Sequence, residues 1–400
     1  MFDALFTTTT EYKKLSHALS GKGACALFGL PASGRAQVYA ALCRQLDKPL
    51  CIVTPGEAEA TRFAADLNTL GIPAAVFPAR DYVLRSIEGT AREYEYRRLA
   101  VLGELVGGRL RAVAVPAEAL TQFTTPKEDF CANTRTLHAG DTLLRDDLLA
   151  ALFGAGYTRR AQVDGPGQFS VRGDIVDIFA PDQKMPVRME FWGDEIDTLH
   201  TFDLTTQRRE DAIDKFYLSP AREVLFGKPA DAAEQLRAFL AKQRGKKKTA
   251  MADCMAADLD LLDGGAVPVN MDKYLAVRYP HPATVLDYFD DPILVAEEPA
   301  SIREADRATA YRRGEELKSL ILDGVLCAGL DNLYADPSYL WSKTGHYRTI
   351  CAENFARSMP DQPLKDIINA PAHTLPAWNG EVAGLLEDLK PLCDAGYTVT

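Results

Sequence analysis

Between residues 21 and 120, short apolar runs alternate with longer segments whose apolar positions recur every three or four residues. The runs are "ACALFGL" at 24–30, "PLCIVTP" at 49–55, "AAVFPA" at 74–79 and "RAVAVPA" at 111–117. The segments between them predict helices near 35–46, 57–70 and 90–107, and a short helix is expected within residues 1–20, entered through the Thr run. Brief apolar runs suit strands buried on both faces, and helices of ten or more residues between them indicate parallel βαβ units. The first 120 or so residues therefore predict a doubly wound α/β unit.

After "TTPKEDF" the period changes. "DTLLRDDLLAALFGAGY" predicts a helix capped by Asp141 or Thr142 and ending near Gly154 or Gly156. Beyond it, Phe169 and Val171, then Ile175, Ile178 and Phe179, then Val187, Met189 and Phe191 supply strand-like alternation broken by Gly and Pro-Asp turns, which predicts a small antiparallel or mixed sheet. From "LSPAREVLF" the chain returns to helices, including "ADAAEQLRAFLAKQRGKKK". There Arg244, Lys246, Lys247 and Lys248 read as the solvated last turn of a helix, favoured by its dipole. "PILVAEE" reads as a strand, the chain to about 325 as mostly helical, and the chain to about 375 as irregular. "GEVAGLLEDLKPLCDAG" reads as a last helix, and the closing "YTVT" as the first residues of a further strand, as in a piece of a longer protein.

Composition narrows the classes. The chain has 400 residues, 47% of them hydrophobic and 25% charged, as expected of two or three globular domains. No signal peptide and no apolar run of membrane-spanning length is present, so a cytoplasmic protein without a membrane partner is expected. The eight cysteines are scattered without a C-x-x-C pair and the six histidines are dispersed, so no metal site is expected. A net charge of -11 argues against a general DNA clamp.

The first apolar run leads into candidate chemistry. Gly29 and Gly34 have the spacing of a phosphate-binding loop, G-x-x-x-x-G-K-[ST], but the final pair is Arg35-Ala36. A working loop needs a compact ammonium for the β and γ phosphates and a hydroxyl for magnesium. Arg35 keeps only the charge, Ala36 has no oxygen, and Pro31 removes an N–H donor. Glu297 and Glu298 close the apolar run "ILVAEE", where a helicase-type motor presents its magnesium-binding and catalytic acids. Together the two traces read as a nucleotide site that has lost its chemistry.

"GLPASGRAQVYAAL", "VTPGEAEATRFAADL", "FPARDYVLRS", "EYRRLAVLGEL", "GYTRRAQVDGPGQFSVRGDIVDIF" and "LSPAREVLF" occur in the order found in a known family. The chain resembles the bacterial transcription-repair coupling factors, in the N-terminal region that they share with the excinuclease component UvrB. The resemblance implies a RecA/helicase-like parallel α/β core with a degenerate P-loop, split by an inserted smaller α+β domain. Its units would be domain 1a at 1–125, domain 2 at 126–217, domain 1b at 218–350, and a linker with the start of a third domain at 351–400. It also implies a non-enzymatic module whose domain 2 docks UvrA, the excinuclease component that UvrB itself docks. Arg172 would be the main contact, with Asp174, Arg159, Arg160 and Phe169 as further candidates. Ser170 stands where UvrB carries another Arg. The residues alone also allow Arg172 and Asp174 to pair with each other and finish a turn, and Asp177, Phe169 and Phe179 to belong to the core. No cofactor is implied for this part. ATP and magnesium would belong to motor domains elsewhere in the protein, as would contacts to RNA polymerase and double-stranded DNA. Two rival readings are a UvrB-like helicase or NTPase module, against which stand Arg35-Ala36 and the lack of a hairpin after "FPARDY", and a simple DNA-binding domain.

Overall fold

The computed structural model describes residues 7–86, 92–355, 363–372 and 380–396. The four apolar runs form β1 (Gly23–Phe28), β2 (Leu50–Thr54), β3 (Ala74–Val76) and β4 (Ala112–Pro116), each within a residue or two of expectation or shorter. Around them lie α1 (Thr10–Ala18), α2 (Ala32–Leu46), α3 (Glu57–Thr69) and α4 (Glu93–Val106). The Thr run does open the first helix: the Thr9 side chain accepts from the Tyr12 N–H.

These four strands do not make a sheet alone. The inserted unit begins with β5 (Arg135–His138) and α5 (Arg145–Gly154), continues through β6 (Thr158–Arg159), β7 (Gln168–Arg172), β8 (Ile175–Phe179), β9 (Val187–Trp192), β10 (Glu195–Phe202) and β11 (Arg209–Ala212), and closes with β12 (Lys215–Leu218). Then come α6 (Pro229–Ala241), α7 (Gly245–Asp263), β13 (Ile293–Glu297), α8 (Pro299–Leu322), β14 (Arg348–Glu353), β15 (Leu364–Asn369) and α9 (Val382–Asp394). The main sheet has the order β15-β1-β14-β13-β2-β4-β3, with every neighbouring pair parallel. Strands from beyond the insertion thus separate β1 from β2.

Burial on both faces explains the near-continuous apolar runs. Cys25, Leu27, Ile52, Ala114, Val295 and Ile350 join one core with α1, α2 and α3. Their neighbours Ala26, Cys51, Val53, Val113, Leu294 and Cys351 join a second core with α4 and Ile302. A third core belongs to α6, α7 and the chain around 320–333, and includes Tyr82 and Leu84.

Several expectations are corrected. Residues 351–400 are not simply a linker and a new domain, because β14 and β15 are strands of the main sheet. Asp141 and Thr142 do not cap α5: its N-cap is Leu144, without a side-chain bond. Asp141 instead accepts from the His138 N–H, and Thr142 bridges to Glu195, so the sheet claims both residues before the helix starts. Lys246, Lys247 and Lys248 lie in the first turn of α7, not the last turn of a helix, because the preceding helix stops at Ala241 and Gly245 takes a left-handed φ of 59°. No strand follows "FPARDY" within the described residues up to 86; residues 87–91 and the closing residues 397–400 lie outside the described ones.

The inserted unit carries a six-stranded sheet, β11-β10-β9-β8-β7-β6, antiparallel except for the β6–β7 edge. β5 and β12 pair with each other where the chain enters and leaves it. Alternation sends Phe169, Val176, Ile178, Met189 and Phe191 to one face, packed with Leu148 and Leu152 of α5.

A buried network of three arginines and three carboxylates joins the first unit to the chain beyond the insertion. Arg80 holds Asp272 through both oxygens, at 2.7 and 3.1 Å, and lies 3.1 Å from Glu223. Arg98 holds the same Glu223 at 2.6 and 3.2 Å, Arg92 pairs with Glu95 at 2.7 Å, and Glu95 accepts from the Glu223 N–H. Arg80, Arg98 and Glu223 come from "FPARDY", "EYRRL" and "LSPAREVLF", so these motifs share one structural role.

Candidate functional site: a filled nucleotide site and an open sheet face

The loop after β1 and the acids after β13 meet at the carboxyl ends of the strands, where open α/β sheets place their ligands. Arg35, in the first turn of α2, is almost fully buried between them. Its Nη2 lies 2.8 Å from Glu297 Oε2 and 3.1 Å from Glu298 Oε1. Its Nη1 donates to the Leu30 carbonyl at 3.0 Å and to Asn354 Oδ1, just past β14, at 2.9 Å. Behind the pair, the Tyr39 hydroxyl donates to Glu297 Oε1 at 2.5 Å.

The electrostatics follow from burial. Loss of water pushes the Glu297 carboxyl up to about 7, with Arg35 and the Tyr39 hydroxyl pulling the other way. For Arg35, burial works against the charge, but Glu297, Tyr39 and Glu298 outweigh it and hold its pKa above the ordinary value. Tyr39 is raised well above its usual range by burial and by Glu297. This donor set does not fit a magnesium nucleotide. Ala36 offers no oxygen, and a guanidinium lies between the two acids that would hold the ion.

Gly29 serves its own chain. Its φ is 90°, and a Cβ there would lie 2.9 Å from the Ala370 carbonyl oxygen. The Ala370 N–H donates to Phe28 O and the Ala372 N–H to Gly29 O, so residues after β15 lie against the loop backbone. Gly34 has no such need, since a Cβ would meet only ordinary contacts.

The second candidate is the face of the inserted sheet turned away from α5. Ser170 is paired with Asp177, and Asp177 with Arg188, across β7, β8 and β9. Asp177, fully buried, accepts from Arg188 Nε at 2.7 Å and Nη2 at 2.9 Å, and from Arg172 Nη2 at 2.7 Å. Arg188 stacks over Phe202, whereas the Arg172 side chain is 48% exposed. The same alternation puts Glu190 and Trp192 on this face; Arg209 pairs with Glu190, and Trp192 is 82% exposed.

The sequence-predicted residues divide here. Arg172 does not pair with Asp174: Asp174 lies in the turn, 3.6 Å from Arg145, and Arg172 reaches Asp177 diagonally across the strands. Phe169 is corrected from contact to core, being fully buried edge-on to Phe153. Phe179 is buried with Val163 and Phe202. Ser170 is buried too, its hydroxyl without a bonding partner among the described residues. Arg159 and Arg160 are exposed at the β6 edge. The sequence reading missed Arg188 and Trp192, although the alternation of "VRMEFW" against Asp177 already contained both.

Among the described residues no helix is long and apolar enough to cross a membrane, and no group of three or more His, Cys, Asp and Glu could hold a metal ion. A model of the UvrB interaction domain family matches residues 136–224. The transcription-repair-coupling factor of Bacillus subtilis (strain 168) is 25% identical over 384 residues, 93% of this chain and 32% of that protein. That of Myxococcus xanthus is 35% identical over 208 residues, 49% of this chain and 17% of that protein. That of Staphylococcus aureus (strain MRSA252) is 25% identical over 305 residues, 74% of this chain and 26% of that protein. The matched family model covers the inserted sheet, and the likeness to the Bacillus relative extends over nearly all of the surrounding α/β core: the chain is similar to the transcription-repair-coupling factors and spans about a third of the length of the Bacillus relative.

Proposed function

We propose that this part of a transcription-repair-coupling factor is a non-catalytic recruitment module that docks the excinuclease component UvrA through the open face of the inserted sheet. The observation that carries the reading is the array on that face: Arg172, half exposed and backed by the buried Asp177–Arg188 pair, with the exposed Trp192 on the same face. A guanidinium held in place by a buried carboxylate presents its remaining donors to partner acids, and an adjacent aromatic side chain supplies the apolar contact that excludes water. The family match to residues 136–224 supports placing the docking function here. Arg145 and Asp174, at the same end of the sheet, would form its polar rim.

The filled nucleotide site supports the non-catalytic half of the proposal. ATP hydrolysis would require Arg35 to leave two carboxylates and a hydroxyl-bearing residue to replace Ala36. The rival UvrB-like NTPase reading predicts magnesium-dependent phosphate release by this chain. The test of the whole proposal is a binding titration with purified UvrA, alongside a phosphate-release assay with and without DNA. Arg172→Ala and Trp192→Ala should each weaken binding about thirtyfold, the scale of an interface anchor worth about 2 kcal/mol. Unchanged affinity in both variants would remove the docking face from contention, and ATP turnover above a denatured control would overturn the non-catalytic reading.

A further inference from the structure

A second site lies on another side of the inserted unit, where it meets the helices that follow. A crevice of about 340 Å³ opens between the end of α5 with β6 and the start of α6 with the Gly265–Val269 turn. That is the lower part of the range for small-molecule pockets. Phe153, Val224, Phe226, Val267, Pro268 and Met271 supply apolar walls.

The polar groups in this lining fall into two sets. Arg92 is occupied by Glu95 and the Val269 carbonyl, Asp272 by Arg80, and the Tyr157 hydroxyl by the Ser219 carbonyl. Arg159 and Arg222, both in the lining of the crevice, have no ion pair and no side-chain hydrogen bond among the described residues. The stem of Arg222 packs over Gly156, where a Cβ would lie 2.6 Å from its Cγ. Gly227, Pro229 and Ala232 bring the N-terminal end of α6 to the same lining. The one carboxylate of that helix turn, Asp231, already accepts from the Lys228 N–H. Two free guanidinium groups and the positive end of a helix dipole thus face apolar walls, in a chain whose net charge is -11.

We infer that this crevice is a binding site for a small amphipathic anion, a carboxylate or phosphate on an apolar body, with Arg159 and Arg222 holding the anionic group. The site is separate from the docking face, and its test involves no partner protein.

Calorimetric titration of the intact chain with 2-naphthoate, 2-naphthyl phosphate and the neutral 2-naphthamide tests the proposal. At least one of the two anions should bind one-to-one, at least tenfold more tightly than the amide, and should raise Tm. The preferred anion identifies the class of head group. Arg159→Gln with Arg222→Gln, which keeps both side-chain stems, should abolish the advantage of the anion over the amide without lowering Tm. Val267→Trp, at the exposed mouth, should weaken anion and amide together. Equal affinity for anions and amide, or anion binding that survives the double substitution, would overturn the assignment.

Discussion

Arg35 has a carboxylate on each side, an amide oxygen in front and a backbone carbonyl beneath it. Its replacement exposes what the guanidinium offsets. Arg35→Ala leaves Glu297 buried without its cation, and breaking such a pair costs roughly 3–5 kcal/mol. Denaturant melts at pH 8 should show that loss, and adding Glu297→Gln should recover part of it. The same carboxyl gives a pH dependence. At about 7 its folded-state pKa lies above the ordinary 4.5. Between those values the native chain therefore binds more protons than the unfolded one, and stability falls as pH rises through that window. Glu297→Gln should flatten this slope in melts between pH 4.5 and 7; identical slopes would refute the assignment. On the docking face the two arginines around Asp177 should behave differently. Arg172→Ala leaves Asp177 with both bonds from Arg188, so Tm should hardly move. Arg188→Ala removes two bonds and the stacking on Phe202, and should lower Tm clearly.

At the scale of elements, legibility followed burial. Strands covered on both faces, such as β1, β2 and β4, announce themselves as apolar runs. β14, "RTICAE", is just as buried, but its short apolar centre is flanked by Arg and Glu, and it reads as irregular chain. β15, "LKDIIN", is an edge strand with Lys365, Asp366 and Ile367 exposed, so no alternation survives in its sequence. The candidate nucleotide site was legible in outline, since Gly29, Arg35, Glu297 and Glu298 could each be found from sequence. Asn354 and Tyr39 could not, because their roles depend on the neighbouring strand and on depth. The inserted sheet was legible as a unit, and the β5–β12 pair closes it with its own core. Residues 126–224 expressed alone should therefore melt cooperatively and keep the docking activity proposed here. A non-cooperative melt would mean that the helices beyond it complete its core.

The whole molecule is held by contacts that cross the insertion. Glu223 accepts from Arg98, pairs with Arg80 and donates its N–H to Glu95, so it sits where three segments meet. Glu223→Ala leaves the buried Arg98 without its carboxylate and Arg80 with Asp272 as its main partner, and should cost about 3 kcal/mol by chemical denaturation. It should also loosen the inserted unit against the core, seen as faster proteolysis between residues 218 and 230.

The interleaved order of the main sheet also bears on synthesis. β1 leaves the ribosome early, yet the partner that Cys25 meets, Thr349, lies 324 residues further along the chain. At translation speeds of about 5–20 residues per second, the apolar edges of β1 and β2 wait on the order of half a minute for β13 and β14 to emerge. The inserted sheet, whose pairings are local, is complete well before then. Nascent chains arrested after residue 224 should carry one folded unit and one exposed half-sheet, a substrate for chaperones that the finished protein no longer offers.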